Sequence, residues 1–259
     1  MTSDPSTTAP SSTAPSSTAS NSTDAPASWD AWREARGQRV TGPQGDLALV
    51  RTEWLPGGAE PDLQAVLDGQ PDTVVATAVH RRDLDTGNPE HGYRLWDAQS
   101  PAIRSYVDTP VFPYDPSWRI TAHFAPAEPG RTIPYEHLRD AAGATRDLVV
   151  PGDITATIDG QEYTLSAFDD DGTLLLVFGD PTNRSHDDAD RTYGTGRFLF
   201  VERPEGSSTG QESDVVLDFN HAFVPPCGYS DQYNCPLPPA QNRLQVPVHA
   251  GERYVAHRD

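Results

Sequence analysis

From Gly45 onward, apolar and polar residues alternate in short stretches cut by Gly, Pro, Asn and Asp, the period-two signature of half-buried strands. The stretches 47–53, 73–81, 92–97, 103–107, 119–124, 133–136, 149–158, 161–168, 174–179, 196–202 and 215–219 each read as a strand. Asp159-Gly160 separates two alternating runs, and Asp170-Asp171-Gly172 closes the next pair. Asp and Gly tolerate the positive φ that a two-residue type I′ turn demands, so both sites predict hairpins. Successive hairpins imply antiparallel order, and a sandwich or a closed barrel removes exposed edges. Ahead of the strands, "SWDAWREARGQRV" (28–40) places Trp29, Trp32 and Arg36 on one helical face. Ser28 is the expected N-cap, and Gly37 or Gly42 the stop. The expected fold is therefore all-β: an antiparallel β-sandwich or barrel with one N-terminal helix, whose two indoles cover an end of the β-structure.

The first 27 residues lie outside this pattern. They are Ser, Thr, Ala and Pro with a partial Thr-Ala-Pro-Ser-Ser repeat, too poor in apolar side chains to offset the entropy of ordering. The expected organisation is a disordered tail over 1–27 and one β-rich domain over 28–259. No stretch approaches the roughly 18 apolar residues of a spanning helix. The N-terminus lacks the basic start and apolar centre of a secretory signal. Both point to a soluble, cytoplasmic protein with no membrane partner.

Charge narrows the function classes. The formal net charge is -19, and all 19 basic side chains are arginine. Such a surface repels phosphate backbones, and no local basic patch breaks it, so no nucleic-acid partner is expected. The polar chemistry gathers near the C-terminus, in "VVLDFNHAFVPPCGYSDQYNCPLPPAQNRLQVPVHAGERY" (215–254). Its prolines fix φ and remove donors, so it reads as a rigid Pro/Cys-rich loop that caps the β-structure or walls a pocket. Asp218, Asn220, Arg243 and Glu252 sit among Phe219, Phe223, Leu244 and Val246, which implies that some are buried and need partners. Cys227 and Cys235 fit paired thiols, a disulfide, a reactive thiol or, with His221 and Asp218, metal ligands. Their spacing is not Cys-x2-Cys, so the metal signal is weak, and no cofactor is expected. His80, His91, His123 and His137 are scattered without ligand spacing and read as surface or packing residues.

Two further motifs carry candidates. "TYGTGRFLF" (192–200) sets Tyr193 and Arg197 around two glycines. Arg197 either faces out from a tightly turned strand entrance or holds a carboxylate or phosphate bidentately. In "FGDPTN", Asp180 and Thr182 cap a turn, and an Asp180 that meets Arg197 would orient its guanidinium.

Taken in order, "GPQGDLALVRTEWL", "YRLWDAQSPAIRSY", "FPYDPSWRITAHFAP", "LLLVFGDPTN", "TYGTGRFLFV" and "LDFNHAFVPPCGYSDQYNCPLPPAQNRL" resemble successive blocks of the bacterial and archaeal domain of unknown function family 1684. The resemblance spans residues 28 to 259. It implies a shared fold and a shared site but transfers no activity. The resulting expectation is a pocket for a small polar or anionic metabolite, lined by Tyr193, Arg197, Asp218, Asn220, Asn242 and Arg243. The alternatives are a hydrolase with Asp218 or Glu252 as general base and Arg197 stabilising negative charge, and a non-catalytic interaction module.

Overall fold

The computed structural model describes residues 25–82 and 88–258. The tail expected over 1–27 falls, for residues 1–24, outside the described residues. Helix α1 (Ala27–Thr41) leads into a sheet of β1 (Leu49–Trp54), β2 (Val74–Arg82) and β3 (Pro89–Asp97), ordered β1-β3-β2. Next come β4 (Tyr106–Asp108), β5 (Arg119–Pro126) and the hairpin of β6 (Thr132–Glu136) and β7 (Thr145–Val149). β8 (Gly152–Ile158), β9 (Gln161–Asp170), β10 (Thr173–Phe178), β11 (Arg197–Phe200) and β12 (Ser213–Asp218) follow, and β13 (Ala256–His257) returns to pair with β4.

The main sheet has six antiparallel strands in the order β11-β10-β9-β8-β5-β12. It curls into a half-barrel, and its edges are stitched where Glu202, just past β11, exchanges two backbone hydrogen bonds with Val216 of β12, at 3.0 and 2.9 Å. The fold is thus the β-dominated, antiparallel one that the alternation predicts, of the barrel type. Both hairpins form as expected, with Asp159 and Gly160 at φ 48 and 76° and Asp171 and Gly172 at 51 and 87°.

Alternation decides which side chains enter the barrel. Ile154, Ala156 and Ile158 of β8 and Tyr163, Leu165 and Ala167 of β9 point inward, joined by Phe124, Leu199 and Leu217. β10 breaks the alternation because "LLLVF" is buried on both faces. Leu174, Leu176 and Phe178 fill the barrel, while Leu175 and Val177 pack outward against Tyr135, Phe223, Cys227 and Cys235. The Pro/Cys-rich loop therefore covers the outside of the sheet, and 219–255 contains no strand, as its prolines require.

Three local expectations change. α1 begins at Ala27 behind Pro26, so Ser28 lies inside the helix, Gly37 is passed over and Gly42 ends it. Residues 101–105 form a one-turn helix rather than a strand, because the Ser100 side chain accepts from Ile103 N and Pro101 presets the first turn. The stretch 149–158 is divided between β7 and β8, since Pro151 cannot donate to a ladder.

Candidate functional site

At the β10 end of the barrel lies a cleft of about 570 Å³, within the size range of small-molecule sites. Leu138, between β6 and β7, lines it together with three longer segments: the turn after β10 (Gly179, Asp180, Asn183, Arg184), the entrance to β11 (Gly194, Thr195), and the Pro-rich loop with its exit (Leu237, Pro238, Arg243, Gln245). These are the three C-terminal motif blocks, brought together by the fold.

Beside the cleft-lining Arg243, a side chain acts as a wedge in the sheet. The β9–β10 ladder ends at Ala167 and Leu176, and the Asn242 amide occupies the next rung. Its Oδ1 accepts from Ser166 N at 2.9 Å, and its Nδ2 donates to Ser166 O and Val177 O, both at 2.8 Å. Beyond the wedge, Gly179 N donates to Asn242 O and Leu244 N donates to Gly179 O, so the loop runs on as an added strand segment. Asn242 is fully buried, whereas Arg243 beside it is exposed and lines the cleft.

The wall formed by the turn after β10 is held by a buried ion pair. Asp180 caps the turn 181–184: its Oδ1 accepts from Thr182 N and Oγ1, and Asn183 Oδ1 accepts from Asp180 N in return. Asp180 Oδ2 receives Arg197 Nη2 at 2.9 Å, with both side chains wholly buried. Arg197 also donates to the carbonyls of Val248, Ala250 and Glu252, which leaves Nε as its one unpartnered nitrogen. Burial lowers the pKa of this guanidinium, and Asp180 acts against that shift. Arg197 thus faces the interior, tying β11 to the C-terminal segment. Gly196 permits this geometry: at φ 102° it is left-handed, and a Cβ there would meet Phe178 O and Pro238 Cγ at 2.6 Å.

The other sequence-derived candidates are distributed around this frame. Tyr193, half-buried, accepts Asn183 Nδ2 on its carbonyl and donates its hydroxyl to Cys227 Sγ at 3.7 Å. Cys227 and Cys235 are buried free thiols, and Cys227 N donates to Cys235 Sγ at 3.3 Å. The hydrogen bond between the thiols lowers the pKa of Cys227 and raises that of Cys235. Asp218 and Asn220 lie apart from the cleft. Asn220 crosslinks to the backbone of Asp115, and Asp218 stands near Arg119 and His221, each at 3.7 Å. His221 gathers with Glu202 and Asp218 rather than with the cysteines.

Glu252 is enclosed at the other end of the C-terminal segment. Arg36 of α1 binds it bidentately at 2.9 and 3.0 Å, and Val224 N and the Tyr229 hydroxyl also donate to it. Burial opposes the charge on Arg36, yet the carboxylate raises its pKa. Two residues that matter here escaped sequence reasoning. Arg184 directly follows the "FGDPTN" motif, and its position next to that block is the signal that could have revealed it. Arg36 was read only as part of an indole-bearing face.

Electrostatics separates the arginines. With Asp180 committed to Arg197, Arg184 and Arg243 are the cationic groups of the cleft, and neither forms an ion pair among the described residues.

Comparison with curated proteins returned no match. A solution NMR structure of an uncharacterized protein of Haloarcula marismortui is similar at 32% sequence identity and a TM-score of 0.43, covering 56% of this chain and 75% of that one. The family model described as Protein of unknown function (DUF1684) matches residues 104–253, which contain all three walls of the cleft, and the chain belongs to that family.

Proposed function

We propose that the protein binds a small anionic metabolite, a carboxylate or a phosphate ester, in the cleft at the end of β10. One observation carries this reading. In a chain of net charge -19, two arginines without acidic partners, Arg184 and Arg243, line the same concavity. Guanidinium groups suit carboxylate and phosphate because their planar N–H donors match those oxygens bidentately. Leu138, Leu237, Pro238 and Leu244 supply apolar walls, and Asn183, Thr195 and Gln245 offer neutral hydrogen-bonding groups. Arg243 is the contact residue from the C-terminal motif, while Tyr193, Arg197 and Asn242 are positioning residues that fix the three walls.

The test is calorimetric titration of small carboxylates and phosphate esters, chosen by a thermal-shift screen, into wild type, Arg184→Ala, Arg243→Ala and the double variant. A hydrogen bond to a charged group contributes about 1.5–3 kcal/mol, so each single variant should weaken binding roughly tenfold to a hundredfold. If no anion shifts the wild-type melting point, or if the double variant binds as the wild type does, the proposal fails.

A further inference from the structure

The three-stranded sheet carries chemistry unrelated to the cleft. His80 of β2 and His91 of β3 are direct cross-strand partners. Directly opposed residues of an antiparallel pair project on the same face with Cβ atoms about 5 Å apart, and here the imidazole centroids lie 4.9 Å apart at an interplanar angle of 86°. The connector after β1 brings in a third group. Leu55 N donates to His91 O at 2.8 Å, anchoring that connector beside β3, and Glu60 reaches His91 Nδ1 at 2.5 Å. The donor atoms of Glu60, His80 and His91 all fall within 4.8 Å of one another.

We propose that Glu60, His80 and His91 form a binding site for a divalent transition-metal ion of the zinc class. Two imidazoles and one carboxylate are a borderline donor set, suited to zinc, cobalt or copper rather than to calcium or magnesium. Zinc bonds to N and O of about 2.0–2.2 Å put tetrahedral donors roughly 3.3–3.5 Å apart. The Glu60–His91 contact is shorter than that spacing, and no donor separation exceeds it by more than about 1.5 Å. Glu60 and His91 need only open from their close ion-pair contact, and the Glu60 side chain, 67% exposed, is free to move. The three protein ligands leave a fourth position for water or an exogenous ligand.

The Arg81 guanidinium does not compete for this site. Arg81 follows His80 in β2 and so projects from the opposite face, where it pairs with Glu90 and lies 4.0 Å over the Trp54 ring. The other three-ligand grouping among the described residues, Glu202, Asp218 and His221, is disfavoured by the same criterion. There the Arg119 guanidinium, 2.8 Å from Glu202 and 3.7 Å from Asp218, already supplies the positive charge.

The untagged full chain is titrated with Co²⁺ alone, followed by its visible d–d absorption, and the Co²⁺ is then displaced with Zn²⁺. One equivalent of Co²⁺ should bind, His80→Ala and His91→Ala should each weaken binding at least tenfold, and Glu60→Gln should weaken it severalfold. Circular dichroism of the metal-free variants checks that they are folded. A measurement on wild type alone is independent of the variants: pulsed EPR of the Cu²⁺ form counts coordinated imidazoles, and two are expected. The proposal is overturned if wild type gives no saturable Co²⁺ absorption, if His80→Ala/His91→Ala binds Co²⁺ as wild type does, or if EPR finds one imidazole or none.

Discussion

Truncating Asn242 to alanine removes the rung that the side chain inserts between β9 and β10. The consequences can be followed atom by atom. Ser166 O retains the Tyr135 hydroxyl at 3.2 Å, but Ser166 N and Val177 O lose the partner that the wedge provides. An unsatisfied buried donor or acceptor costs about 1–3 kcal/mol, so two of them predict a loss of about 2–6 kcal/mol. That is a large part of a typical total of about 5–15 kcal/mol. At a loss of about 4 kcal/mol, the melting temperature should fall by about 8–16 °C for a domain of this size. Asn242→Asp separates hydrogen bonding from packing. It keeps the volume but replaces the donating amide with an oxygen that faces the carbonyls of Ser166 and Val177, so it should be at least as harmful as alanine. Urea denaturation monitored by tryptophan fluorescence measures both variants. A loss below about 1 kcal/mol for either would refute the wedge as a structural element.

Two further effects concern ion pairs. Asp180→Ala strands the Arg197 guanidinium in a fully buried site, and breaking a buried pair in this way costs about 3–5 kcal/mol. Equilibrium denaturation should show that loss, and a stability change near zero would mean that water replaces the carboxylate. Asp140 pairs bidentately with Arg146 and accepts from Asn234; the Arg146 bond leads the causes that hold its pKa down at about 2, below the ordinary 3.8. A depressed carboxylate pKa stabilises the fold above the unfolded value, and that contribution fades as pH falls from about 4 toward 2. The stability gap between wild type and Asp140→Asn should narrow over that window in urea titrations, and a constant gap would contradict the assignment.

The strands were legible wherever one face meets the core and the other meets solvent, as in β8 and β9, because burial then writes itself into alternate residues. The two Asp-Gly hairpins were legible because their backbone conformation excludes most other residue types. Partners remote in the chain were not. The strand stretch around Arg197 was identified, but nothing local tells that its guanidinium turns inward to three carbonyls around residue 250. Asn242 is expected from the sequence to line a pocket, yet a ligand and a broken ladder make the same demand on an amide. His80 and His91 are separated by ten residues, a spacing without meaning until the register of β2 and β3 makes them opposite.

The attachment of α1 bears on how the chain matures during synthesis. Trp29 Nε1 donates to Asn220 O across 191 residues, and Arg36 binds Glu252 across 216. Helix α1 therefore finds its binding surface only after residues 220–252 have been made. Contacts of such sequence separation form late and slow folding. Until then α1 exposes Trp29 and Trp32, and the Phe223 surface beneath Arg36 has yet to be made. Completion of this fold thus waits on residues 220–252, and until they are made α1 lacks the surface it covers. The acidic composition of the chain serves that interval, since like charges keep unfinished copies apart.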